Sequence, residues 1–384
     1  MNRSLTFGLF FLAVFLQAGA YGLTFMLPRL FESFGANEKV VGYMLFVTTI
    51  STLLTVYYAG HLSDAFGRVR MLSIACVAIA LALASYGLAD GVGFLLFEAS
   101  VLLGFGWGLT YALGPVVLSR MVTSEERVRY FAMLSIGVMA GFGLSPVLAS
   151  VLEQSGYTVN DAFYVTAVLC GVSAVLFSAL IGPVRSHALQ GQVEGKSSLS
   201  LSAVKQILSS KARLPVVMVC LGASVFAGMN NFQTVFADER GLDYASYFLI
   251  YTLTVVIFRV ALARFKGGSN PYLTIALLQY VMCASVVIFM FIGGNVGLYW
   301  LVAFLFGIGY GVSYPVLVAM AASDAGENLM AQTLQLFALS YFIGIFAFPL
   351  VAGWLIVELG SVSVLIVVAV LAAIEASMAL RRAI

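Results

Sequence analysis

The sequence predicts an all-α polytopic membrane protein, with twelve transmembrane helices in two six-helix bundles, and three observations predict it. The first is composition. Of 384 residues, 62% are hydrophobic and 9% charged, against about a quarter charged in soluble domains, and the mean hydropathy is +1.04. The second is a series of twelve apolar runs, each near the roughly 20 residues that cross a hydrocarbon layer. The third is an internal repeat: Gly104, Gly106, Gly108 and Tyr111 recur as Gly307, Gly309, Gly311 and Tyr314, and the same register carries Pro146 onto Pro349. Two parallel halves related by an axis along the membrane normal produce such a pattern.

The runs, numbered spans 1 to 12, are 6–28, 40–60, 71–89, 94–118, 130–152, 161–183, 214–236, 244–264, 271–292, 297–321, 329–355 and 361–380. No small-residue cleavage pattern ends the first, so it reads as a retained span and not as a signal peptide. With the N-terminus inside, every one of the 19 Lys and Arg residues except Arg29, Lys39 and Arg240 falls at the cytoplasmic face. The positive-inside rule then puts both termini in the cytoplasm of a multi-pass protein of the plasma membrane, a bacterial inner membrane. Residues 185–213, with Ser197, Ser198, Ser200 and Ser202 among basic residues, read as a cytoplasmic tether between bundles 1–184 and 214–384.

A net charge of +2 gives no case for nucleic acid. Cys76, Cys170, Cys220 and Cys283 lie inside apolar runs without metal or disulfide spacing, so neither metal nor cofactor is expected. His61 and His187 sit in loops, which argues against an intramembrane enzyme, and the chain reads as a monomer.

The longest polar interruption of the first hundred residues runs from Gly60 to Arg70 and contains Asp64, Gly67 and Arg68. Gly60 and Gly67 suit a tight turn and close helix approach. This spacing closely resembles the loop between helices 2 and 3 of the major facilitator superfamily of transporters. The resemblance implies the major facilitator fold, alternating access of a central site, and a latch in which Asp64 meets the start of span 11, at Glu327 and Asn328, with Arg68 bracing the loop. A worn counterpart lies at 263–268. In span 5, Gly141, Ser145, Pro146, Ala149 and Ser150 resemble a worn form of the motif of proton-antiporting exporters. Small residues at that spacing also simply let helices approach.

Span 4 departs from those exporters, with Ser100 where an arginine is usual. Ser100, Gly104, Trp107 and Tyr111 share one helical face. Amides and phenols within spans must find partners away from lipid, which nominates Gln17, Tyr21 and Thr24 of span 1, Asn230, Asn231 and Gln233 of span 7, Tyr247 and Tyr251 of span 8, Tyr310 and Tyr314 of span 10, and Gln332 and Gln335 of span 11. Each is either a ligand contact or helix-to-helix glue. Arg259 is expected to snorkel to the headgroups, leaving a cavity without fixed charge, suited to an uncharged or amphipathic organic molecule. Glu98 and the outer Asp161 are the acids nearest a proton-carrying role. The expected activity is efflux of a small organic compound by proton antiport. Import by the same fold and a non-transporting sensor or scaffold are the alternatives.

Overall fold

The computed structural model describes residues 2–187, 199–262, 270–325 and 329–384, apart from the side chains of Ser124, Glu125, Arg127, Val128 and Leu262. Hydrocarbon offers the backbone no hydrogen bonds, so each apolar run closes its own as a helix. Among the described residues, twelve helices are long and apolar enough to cross a membrane: span 1 Arg3–Glu32, span 2 Glu38–Phe66, span 3 Arg68–Leu88, span 4 Phe94–Met121, span 5 Arg129–Gln154, span 6 Val159–Ala179, span 7 Arg213–Asn231, span 8 Tyr244–Ala261, span 9 Pro271–Phe291, span 10 Val296–Asp324, span 11 Met330–Leu359 and span 12 Ser361–Ala383. Span 11 contains a π-helical turn, Ile343–Ala347, just before Pro349. A short helix, Leu201–Ser209, capped by Ser200, lies within the expected tether.

Span 2 corrects the reading of the polar stretch. Its helix continues through Gly60 and Asp64 to Phe66, and Gly67 alone makes the turn, at φ +87°. A Cβ on Gly60 would meet nothing within 4 Å, so neither the turn nor a close approach needs that glycine. Continuing the helix satisfies the backbone groups of the polar residues, which outweighs the cost of one helical glycine, about 1 kcal/mol.

The glycine repeat is a packing device. Spans 1 to 6 form one bundle and spans 7 to 12 another, with span 4 seated on spans 2 and 3 and span 10 on spans 8 and 9. A Cβ on Gly104 would sit 2.5 Å from the Thr48 carbonyl oxygen, and one on Gly307 3.2 Å from that of Tyr251. On the adjoining side, Gly106 lies against the Ala75 carbonyl at 2.6 Å and Gly309 against that of Leu278 at 2.8 Å. The register that relates the glycines therefore also relates what they touch.

The bundles meet along span 5 on span 8 and span 2 on span 11. One end of the molecule carries Arg3, Arg68, Arg70, Arg120, Arg381 and Arg382, and is called the basic end below. The opposite end is sealed. There Gly42 accepts the Pro349 backbone, with 2.6 Å to a built Cβ, and Gly353 abuts the backbone of Glu38 more tightly still. Arg29 Nη2 donates to Asp238 Oδ1 across the bundles at 2.6 Å, Tyr244 Oη donates to Glu153 at 2.7 Å, and Lys39 pairs with Glu358. At the basic end, Arg3 joins Glu126 within one bundle at 2.9 Å, and this bond with the Thr123 capping box holds the Glu126 carboxyl down at about 2. Because that value is depressed, the tie contributes above the ordinary carboxylate range and is lost as pH falls toward 2.

Gly106→Val should lower stability by about 1–3 kcal/mol through overpacking against Ala75 and Ile79. Gly171→Ala, where a built Cβ meets nothing, serves as the control. Thermal unfolding in detergent measures both, and equal melting points would show that the glycine seats are loose.

Candidate functional site

Where spans 4 and 10 leave their glycine seats, each presents a tyrosine to the opposite bundle. Tyr111 follows Gly104 by seven residues, as Tyr314 follows Gly307, which is nearly two helical turns. Their hydroxyls meet at 2.6 Å, so the repeat-related pair forms one hydrogen bond between the bundles. Tyr341 of span 11 stacks on Tyr111 with centroids 5.8 Å apart and flanks Tyr314 at 5.4 Å.

Beside this aromatic group lies Arg259, and its position corrects the expectation that it snorkels. It is 5% exposed. Nε donates to the Gly311 carbonyl at 2.9 Å, and Nη1 reaches across the bundles to the Ser135 carbonyl at 3.4 Å and its hydroxyl. Nη2 has no hydrogen-bond partner among the described residues, while the hydroxyls of Tyr251, Tyr310, Tyr314 and Tyr341 stand within electrostatic reach. The centre therefore does hold a fixed charge. A guanidinium buried this way is costly unless its donors are used, and one nitrogen is left for a further acceptor.

Toward the sealed end, Tyr21 stacks on Trp107 at 5.0 Å and meets Phe346 of the other bundle edge-on at 5.6 Å, while Tyr310 stacks on Phe226 at 4.6 Å. Gln17 Oε1, Tyr21 Oη, Trp107 Nε1, Tyr247 Oη, Tyr251 Oη and Gln335 Oε1 are buried without hydrogen-bond partners among the described residues. Buried polar groups are nearly always satisfied, so this many orphans on these spans mark places where something else can bond them.

The remaining nominated residues serve their own bundles with at least one group. Thr24 donates to the Tyr21 carbonyl at 2.7 Å, Asn230 to that of Phe226 at 2.8 Å and Asn231 to that of Ala227 at 3.1 Å, while Gln233 donates to Tyr299 Oη at 2.7 Å. Asn230, Asn231 and Gln233 each keep an unpartnered oxygen. Ser100 bonds Tyr86 at 2.8 Å, inside the first bundle. Glu98 is half-buried near the start of span 4. Asp161 caps its own helix through Thr158. Gly141 takes the backbone of span 1, with a built Cβ 2.6 Å from the Phe15 carbonyl, and Ser145 stands against Gly19. Asp64 is 72% exposed, with Arg68 Nη2 at 3.7 Å. Its expected partners Glu327 and Asn328, and the counterpart stretch at 263–268, lie outside the described residues.

Sequence reasoning missed Tyr341, Ser135, Gln279 and Glu375. The last pair had a signal, since an acid within a span is by default a functional candidate.

Two helical bundles of membrane-crossing length, meeting at a buried polar and aromatic seam, form the architecture of a membrane transporter. Residues 9–349 match the model of the Major Facilitator Superfamily, and the chain belongs to that family of transporters. A stretch of 129 residues is 30% identical to a probable 4-methylmuconolactone transporter of Cupriavidus pinatubonensis, covering 34% of this chain and 30% of that one, so the match spans under a third of that relative's length. Multidrug resistance protein 2 of Bacillus subtilis is 20% identical over 312 residues, covering 79% of this chain and 76% of its own. Among solved structures, the peptide transporter POT superposes with a TM-score of 0.77 at 17% identity, over 100% of this chain and 95% of that one, which is a likeness of fold.

If the Tyr111 to Tyr314 bond links the bundles, Tyr111→Phe and Tyr314→Phe should each cost about 0.5–1.5 kcal/mol in thermal melting. The double variant should add little to either, because both remove the same bond. Additive losses would show that the hydroxyls act separately.

Proposed function

We propose that this transporter moves a small amphipathic organic anion, an aromatic or otherwise apolar body with one carboxylate or similar group, out of the cell in exchange for protons. The observation that carries the reading is Arg259, buried between the bundles among tyrosines with Nη2 unpartnered. A planar anion would take that nitrogen in a charge-assisted bond. Its apolar part would lie on Tyr111, Tyr310, Tyr314, Tyr341 and Trp107, and the orphaned Gln17 and Gln335 would fix its polar edge. Since Arg259 also holds Ser135 and Tyr111 holds Tyr314, a ligand here touches both bundles, and only such a ligand can favour one arrangement over the other. The basic end is taken as cytoplasmic, so the sealed end faces outward. Likeness to a multidrug resistance protein and the small residues around Pro146 support efflux. A second reading, proton-linked uptake of a carboxylate, is favoured by the likeness to a muconolactone transporter. In both, Asp64 is the latch of the opposite state, the one in which the basic end is shut.

Liposomes holding the purified chain, with benzenesulfonate as a probe that stays anionic across the pH range, test this. Antiport predicts faster entry into vesicles with an acid interior, and symport with an acid exterior. Arg259→Gln should weaken apparent affinity at least about tenfold, as expected for a charge-assisted bond worth roughly 1.5–3 kcal/mol. Equal transport of uncharged benzamide, or an unaffected Arg259→Gln, would sink the anion reading.

Asp64→Asn should insert and melt normally yet slow the same flux severalfold. Full flux at wild-type protein levels would remove the latch from the mechanism.

A further inference from the structure

Span 12 carries a carboxyl at a place where lipid and packing alone give no reason for one. Glu375 is fully buried, in the stripe Ala372, Glu375, Ala376 and Ala379 that packs on spans 7 and 9. The residue facing it from span 7 is Gly222, where a Cβ would stand 3.0 Å from both carboxyl oxygens, so the missing side chain makes the cradle. From span 9, Gln279 Nε2 donates to Glu375 Oε1 at 2.9 Å and to Ser313 Oγ of span 10 at 3.1 Å. The other oxygens of the two groups, Glu375 Oε2 and Gln279 Oε1, have no partner among the described residues. Both are acceptors while the carboxyl is ionised, so neither can satisfy the other. One proton on Oε2 makes it a donor that the amide oxygen can accept, completing a two-way pair of acid and amide.

The surroundings offer no cation in its place. Span 7 brings the Cys220 thiol, and span 9 brings Tyr280, bonded to Ser377, and Cys283, bonded to the Ala369 carbonyl. Arg213, Arg381 and Arg382 stand at the basic end and Glu358 at the sealed end, while Arg259 is engaged on Gly311, next but one to Ser313. No ion pair found among the described residues includes Glu375.

We infer that Glu375 is the carboxyl that binds and releases the coupling proton, kept as the neutral acid by Gln279 while the outer end is sealed, and that Glu98 is not. This rests on the proton-antiport reading above. Release breaks the O–H bond heterolytically: the electron pair stays on Oε2 and the proton passes to water. A carboxylate left in this dry, cation-free cradle is strongly disfavoured. Ionisation therefore goes with an arrangement in which span 7 or span 9 has moved and water enters, which ties proton occupancy to conformation.

Infrared difference spectra of the full-length protein in liposomes, taken as pH is raised, test the site without any substrate. The carbonyl stretch of a protonated carboxylic acid should disappear from wild type and from Glu98→Gln with the same midpoint, and be missing throughout in Glu375→Gln. A band unchanged by Glu375→Gln overturns the assignment. In the benzenesulfonate assay, Glu375→Gln should lose the response to the pH gradient at least tenfold while Glu98→Gln keeps it, and the reverse also overturns the assignment. If wild type shows the band but no response to the gradient, the antiport reading fails and the proton-binding site stands. Should Glu375→Gln not accumulate, Gln279→Leu replaces it: a coupling carboxyl moves both the band and the pH midpoint of flux, whereas a purely structural one moves the band alone.

Discussion

The structure depends on the inability of hydrocarbon to form hydrogen bonds. It makes every described spanning segment a helix, buries phenols such as Tyr21, Tyr86, Tyr247 and Tyr251, and makes each buried polar atom a matter of placement. Within the bundles many of those atoms find one another: Ser100 with Tyr86, Gln233 with Tyr299, and Ser173 with the Ala13 carbonyl at 2.8 Å. Among the described residues, Arg259 Nη2 and Tyr21 Oη beside the other bundle, and Glu375 Oε2 and Gln279 Oε1 inside the second one, find no partner. A seam whose polar groups were all satisfied in one arrangement would resist leaving it, since each bond broken in a dry interior carries a desolvation cost.

The sealed end shows the same economy of binding. Its closure uses glycine against backbone, Gly42 on Pro349 and Gly353 on Glu38, with ion pairs that stay partly in water, such as Arg29 with Asp238 at 29% and 46% side-chain exposure. Exposed pairs are worth at most about 1 kcal/mol each, and the glycine contacts depend on shape more than on strength. The closure is thus specific in register and modest in energy, as the proposed transport cycle would require.

Twelve spans, the two bundles and the equivalence of Tyr111 with Tyr314 were legible in the sequence, because apolar length and a repeated glycine spacing depend on the chain alone; that their hydroxyls meet was not. Arg259 was not, because snorkelling and burial differ only in whether a neighbouring helix offers an acceptor, and that acceptor is the Gly311 carbonyl of a span far along the chain. Gly60 was misjudged because a polar stretch containing two glycines satisfies a turn and a helix end equally well until the Asp64 and Phe66 backbone is seen to continue span 2. The unpaired oxygens of Gln17 and Gln335 were beyond reach for a similar reason: composition shows that an amide is buried but not whether its partner is another helix or a ligand.

The repeat also shows where the two halves part company. In the register that carries Gly108 onto Gly311, Arg259 falls on Val56, Glu375 on Val172, Gln279 on Cys76 and Ser313 on Thr110. Glycine seats and the Tyr111 and Tyr314 pair obey the symmetry, while the deeply buried charged groups among the described residues, Arg259 and Glu375, belong to the second bundle. A symmetric frame gives two arrangements of nearly equal energy, because the same packing surfaces serve both halves, and such a frame alone would rock without direction. On the proposed reading, charges placed in one half would supply the bias. A ligand on Arg259 and a proton on Glu375 would both bear on span 10, through the Gly311 carbonyl and the Ser313 hydroxyl, so each would change the cost of moving the same helix. That shared helix is the shortest physical route by which the occupancy of one site could alter the other.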